Sequence, residues 1–130
     1  MARWVHHEAG ATVAGMLGAG WLTVAAAGQP AFPEPSDPRL ARGRAVWVEN
    51  CMGCHGDGTA GAPVATDVEA WAPRIAQGKA VLYEHALNGF FGADDTMMPA
   101  RGGNDALTDD DVRAAVDYMV AVATAGKPGH

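Results

Sequence analysis

Apolar residues recur at helical spacing in several short runs, and no segment alternates with a persuasive period of two. The clearest run is the last. Val112, Ala115, Val116, Met119 and Val120 form one face of a helix predicted over residues 109–123. Thr108 and Asp111 give it a capping spacing, and three aspartates occupy its first turn, where the helix dipole favours them. A first helix is predicted from Asp37-Pro38, a capping side chain followed by proline at the first helical position, to about Glu49. Its apolar groups include Leu40, Val46 and Trp47, with Gly43 one turn before the tryptophan.

Between these two lie shorter pieces. Thr66 and Glu69 have capping-box spacing and predict a short helix ending before Pro73. "GKAVLYEHALNG" predicts a compact amphipathic helix offering Val81, Leu82, His85 and Leu87, closed by Gly89. The glycine-rich stretch "HGDGTAGAP" and residues 90–103 read as long loops. The fold class is therefore all-α, without internal repeats.

The first 36 residues stand apart. No charged residue falls between Ala9 and Pro33, and the stretch ends in a small-residue A-x-A site at Ala25-Ala26-Ala27. Residues 1–27 read as a cleaved secretory signal, with the mature chain starting near Gly28. The rival reading is a retained N-terminal anchor, since residues 11–28 approach spanning length and carry small-xxx-small spacing. Both readings place the globular part outside the cytoplasm, in the periplasm. Residues 28–36 hold three prolines in nine positions and read as an extended linker. The globular domain follows over 37–126, with a short tail at 127–130.

Seventeen glycines and eight prolines in 130 residues call for short elements and long connections. A domain of that kind is marginal unless something fills its centre. The net charge of −6 removes nucleic acid and anionic lipid as electrostatic partners.

The chain has two cysteines, Cys51 and Cys54, and His55 follows the second directly. A dithiol redox site of the thioredoxin kind needs a strand-to-helix setting, whereas this motif follows a helix. A structural zinc site needs four ligands, and no second Cys/His pair exists at workable spacing. C-x-x-C-H is the attachment sequence of c-type haem. Its spacing lets two thiols add to two vinyl groups on one porphyrin edge, with the imidazole next to them as proximal iron ligand.

Methionine is the natural second ligand for a closed electron-transfer haem. Met1 and Met16 belong to the export segment, Met52 lies between the cysteines, and Met119 repeats on the apolar face of the last helix. Met97 and Met98 remain. Met98 precedes Pro99, which restricts its backbone and fixes its aim, so Met98 is the predicted ligand.

"GRAVWVENCMGCH", "GAP", "WAPRIAQG", "YEHALNGF", "MMPARGG" and "LTDDDVRAAVDYM" together resemble the class I c-type cytochromes, specifically the bacterial cytochrome c5 family, over residues 38–123. The resemblance implies a small all-α fold in which the N- and C-terminal helices cross beside one covalent haem c. It implies Met98 as the axial ligand opposite His55, and the Pro63 carbonyl as acceptor for the His55 Nδ1–H. It implies that Gly43 and Trp47 meet Ala115 and Tyr118 at the helix crossing, and that Trp71 and Arg74 flank the haem propionates. Unlike some members, this chain has no further cysteine pair.

His/Met ligation leaves no open coordination position, so the implied function is outer-sphere one-electron transfer between redox protein partners, not enzymatic turnover. The acidic surface implies a basic face on at least one partner. A retained anchor would make the chain a membrane-tethered cytochrome subunit of a larger redox complex. A labile methionine would make it a gas-binding or peroxidatic haem protein.

Overall fold

A computed structural model of the protein describes residues 32–125. The proposed signal or anchor, linker residues 28–31, and the tail lie outside the described residues. Among the described residues five α-helices carry the fold: α1 (Pro38–Asn50), α2 (Met52–His55), α3 (Val68–Ala76), α4 (Lys79–Asn88) and α5 (Asp109–Ala125). Two-residue strands β1 (Phe90–Phe91) and β2 (Met97–Met98) form one antiparallel ladder, and 3-10 turns occupy Thr59–Gly61 and Ala100–Gly103. The architecture is all-α, as the sequence predicts.

The two long helices start where their caps require. Asp37 accepts from Leu40 N at 2.9 Å and opens α1. At α5 the capping box is reciprocal: Asp111 N donates to Thr108 Oγ1 at 3.1 Å, and Thr108 N donates to Asp111 Oδ2 at 3.1 Å.

The crossing of α1 and α5 is the core of the molecule. Gly43 lets the two backbones touch, since a β-carbon there would lie 2.0 Å from the Ala114 carbonyl oxygen. One turn on, Trp47 is fully buried, its ring centroid 5.7 Å from that of Tyr118 and 4.5 Å from that of Phe32. Its Nε1 donates to Met119 Sδ at 3.3 Å, which anchors Met119 in the core, the role its helical repeat predicts. Tyr118 Oη in turn donates to the Pro33 carbonyl at 3.0 Å, drawing the end of the linker onto the domain.

A buried carboxylate joins the third long element. Asp117 of α5 accepts from Arg39 Nε of α1 at 2.8 Å, from Lys79 Nζ of α4 at 3.0 Å, and from the Tyr83 hydroxyl. Burial pushes this carboxyl up, but the three donors outweigh burial and hold it below the ordinary aspartate range.

Several local expectations are corrected. The cap of α3 is Asp67, which accepts from Ala70 N at 3.0 Å, and Thr66 stays exposed. The helix also runs through Pro73 to Ala76. Proline there forfeits one backbone bond, to Glu69, while Trp71 is pinned by its own bond from Nε1 to the Val64 carbonyl at 2.9 Å. The face of α4 that is buried carries Leu82 and Ala86, with Val81, His85 and Leu87 only half-buried. Finally, residues 90–103 are not a featureless loop. Phe90 pairs with Met98 and Phe91 with Met97 across a turn at Ala93–Thr96, before the second 3-10 turn. Likewise, the glycine-rich stretch contains the short 3-10 turn at Thr59–Gly61.

Candidate haem-binding site

α2 is a single helical turn, so Cys51, Cys54 and His55 come round to one side at i, i+3 and i+4. His55 N donates to Cys51 O at 3.0 Å and holds that turn closed. The Cys51 thiol is half-buried, the Cys54 thiol is exposed, and the two are not bonded to each other. Burial, and secondarily the neighbouring Cys54, push the Cys51 thiol up to about 11, so it is a protonated thiol at neutral pH.

His55 is buried, and residues 63–65 clamp it. Ala65 N donates to the His55 carbonyl at 2.8 Å, and the His55 Nδ1 lies 2.9 Å from the Pro63 carbonyl oxygen. A carbonyl oxygen can only accept, so the proton sits on Nδ1 and Nε2 is left with its lone pair. Burial lowers the imidazole pKa, the Pro63 carbonyl opposes that, and the Arg74 charge lowers it further. The net direction is down. The ring is neutral at neutral pH, as a metal-ligating imidazole must be.

A small apolar cleft adjoins this ring. Cys51, His55 and Met98 all line it, together with Val46, Leu107 and Met119. Strand alternation puts Met98 on the cleft while the next side chain, Met97, is 55% exposed. Thus a neutral imidazole nitrogen, a thioether and a thiol converge on one apolar space, with the second thiol a helical turn away. Those donors fit an iron porphyrin: soft and borderline ligands for the metal, thiols for an edge, and apolar walls for a ring.

Trp71 is buried with its ring centroid 6.0 Å from that of His55. Arg74 is half-buried on α3, and its Nη1 donates to the Ala70 carbonyl of its own helix. Neither residue lines the cleft. The sequence reading did not identify Leu107, Ala86 or Val112 as cleft residues, although their apolar character at helix ends and faces was visible.

A family model described as cytochrome C oxidase, cbb3-type, subunit III matches residues 38–119. Cytochrome c-555 of Chlorobaculum tepidum is 49% identical over 80 residues, covering 62% of this chain and 73% of that protein. Cytochrome c-555 of Chlorobaculum thiosulfatiphilum is 46% identical over 80 residues, 62% of this chain and 92% of that protein. Among solved structures, a chain from the crystal structure of an electron transfer complex of nitrite reductase with cytochrome c superposes with a TM-score of 0.57. It is 41% identical and covers 67% of this chain and 96% of that one. With the C-x-x-C-H turn, the clamped imidazole and the apolar cleft, these matches show that the chain belongs to the cytochrome c family.

Proposed function

We propose that this protein is an exported monohaem cytochrome of the c5 type that carries single electrons between redox proteins. The observation that carries the reading is the shared cleft: His55 and Met98 face one apolar space beside Cys51. In this reading Cys51 and Cys54 hold the haem c through thioethers, and His55 Nε2 and Met98 Sδ are the iron ligands. When bound, the haem supplies a metal that changes between ferric and ferrous states by one electron.

The chain's own residues set how that happens. The Pro63 carbonyl orients the imidazole and strengthens its donation through the Nδ1 proton. Met98, a thioether, favours the reduced state and raises the potential, and the apolar walls reinforce that by excluding water. Trp71 packs beside His55, and Arg74 places a positive charge on the same side, suited to the haem carboxylates. With His55 and Met98 both holding the iron, no position would be left for a substrate, and the protein would act as a carrier and not as an enzyme.

Partner contact falls to the solvent side of the hairpin. Phe91 is 82% exposed and pairs directly with exposed Met97, and the turn beside them carries Asp94 and Asp95. Apolar centre and acidic rim suit a redox partner with a basic face. The structural relative comes from an electron transfer complex with a redox protein, a nitrite reductase.

A pyridine-haemochrome spectrum with an intact mass tests the reading. One haem per chain, with thioether linkage and cleavage near Gly28, is expected. A non-covalent haem, or none, overturns it, and a mass that retains residues 1–27 points to the tethered form.

A further inference from the structure

Asn50 is the last residue of α1, immediately before Cys51, and Asn104 follows the 3-10 turn that trails Met98 and Pro99. Asn104 Nδ2 donates to Asn50 Oδ1 at 2.8 Å. Asn50 Nδ2 donates in turn to the Val46 carbonyl at 2.8 Å, so the acceptor is itself held in place by α1. Asn104 Oδ1 accepts from Ala106 N at 3.1 Å, which fixes the other amide on its own segment. Both side chains are half-buried, and each has its polar atoms committed.

The backbones beside this pair are in contact as well. Gly102 has φ +63°, and a β-carbon on it would lie 2.8 Å from the Asn50 carbonyl oxygen. Val46, Cys51, Met98 and Gly102 all line the cleft. The amide pair therefore bridges the helix end that carries the first thiol and the segment that carries the methionine. On its other side the segment packs against the end of α4, where a β-carbon on Gly89 would lie 3.0 Å from the Met98 carbonyl oxygen, so the amide pair is its side-chain hydrogen bond to α1. Arg101 reaches only forward, to the Leu107 carbonyl at 2.9 Å and to Asp109.

We propose that Asn50 and Asn104 are positioning residues: their side-chain bond fastens the Met98 segment to the Cys51 end of α1 and so holds the methionine sulfur on the iron. The inference rests on the reading of Met98 as axial ligand. Breaking the bond loosens the segment from α1 while its packing on α4, every ligand and the α1–α5 crossing stay in place.

The test uses the haem-loaded protein and compares two thermal midpoints, loss of the far-red iron–methionine charge-transfer band and loss of helix by circular dichroism. Asn104→Ala and Asn50→Ala should each move the band-loss midpoint down, away from the helix midpoint. The equilibrium for methionine detachment should shift about fivefold to tenfold, the size expected from one net hydrogen bond. The double variant should add little to either single change, because both remove the same bond. Asn50→Asp keeps an acceptor for Asn104 Nδ2 and should retain most of the band stability. Band and helix midpoints that fall together in every variant, or singles that add fully, would show a merely structural pair and overturn the proposal. A wild-type protein without the band overturns the methionine ligation itself, a distinct failure that removes the proposal's basis.

Discussion

Gly43 of α1 meets the backbone of Ala114 in α5 so closely that a β-carbon on it would stand 2.0 Å from the Ala114 carbonyl oxygen. Neither backbone can yield without separating Trp47 from Tyr118, whose rings lie 5.7 Å apart in the same crossing. Gly43→Ala should therefore cost about 3 kcal/mol or more, at or beyond the upper end of ordinary overpacking. Thermal unfolding of the haem-loaded variant should show a midpoint lower by about 10 °C or more. A drop of only a degree or two would mean that the helices slide apart at little cost.

Asp117 gives the fold an acid limit. Its carboxyl is buried, and Tyr83, Arg39 and Lys79 hold its folded pKa below the unfolded value. A depressed carboxylate contributes stability that is fully present above its unfolded pKa of roughly 3.9 and is lost as pH falls through the folded value. Stability should be flat with respect to this group from neutrality to about pH 5, then decline. Asp117→Asn should lose about 1–3 kcal/mol at pH 7, where the charge is missing from the buried cluster. Its denaturation midpoint should also fall less steeply below about pH 4 than that of the wild type. Parallel pH curves for the two proteins would remove Asp117 from the account.

Much of this arrangement was legible in the sequence because its signals are local. Asp37-Pro38 and the Thr108–Asp111 box start their helices where they stand. Cys51, Cys54 and His55 fall within five residues, so one helical turn assembles them. The misses have a common cause in signals that compete or span distance. Thr66 and Asp67 are adjacent capping residues, and Asp67 takes the role. Pro73 looks like a helix stop, yet the anchoring of Trp71 outweighs one lost bond. Strands of two residues have no period to read, so the hairpin depends on its turn, with Asp94 at φ +57° and Asp95 at φ +58°. The Asn50–Asn104 bond joins residues 54 apart with no pattern linking them.

That hairpin carries a prediction of its own. Asp94 and Asp95 occupy left-handed positions where Asn-Gly is the easier pair, so their charges sit at the rim of the exposed Phe91–Met97 face at some local cost. With a basic one-electron partner, the second-order transfer rate should fall about tenfold as ionic strength rises from roughly 0.01 M to 0.2 M. Asp94→Asn/Asp95→Asn should flatten that dependence, with the two proteins converging at high salt. Stopped-flow kinetics would decide it. A salt-independent wild-type rate would contradict the acidic docking face.

The cleft ties folding to the cofactor. Its walls come from the central helix crossing itself: Val46 of α1 and Val112, Val116 and Met119 of α5 all face it. Leaving that apolar surface without contents removes contacts from the residues that otherwise form the core, in a domain small enough to be marginal. A group that binds only the native state carries folding free energy with it. The chain with Cys51→Ala and Cys54→Ala, free of haem, should accordingly show weak helical circular dichroism and no cooperative melt. The wild-type haem-loaded protein should melt in one sharp transition. A haem-free double variant that melts cooperatively with full helix content would show that the α1–α5 crossing is sufficient alone, and that the cofactor is a guest in a finished fold.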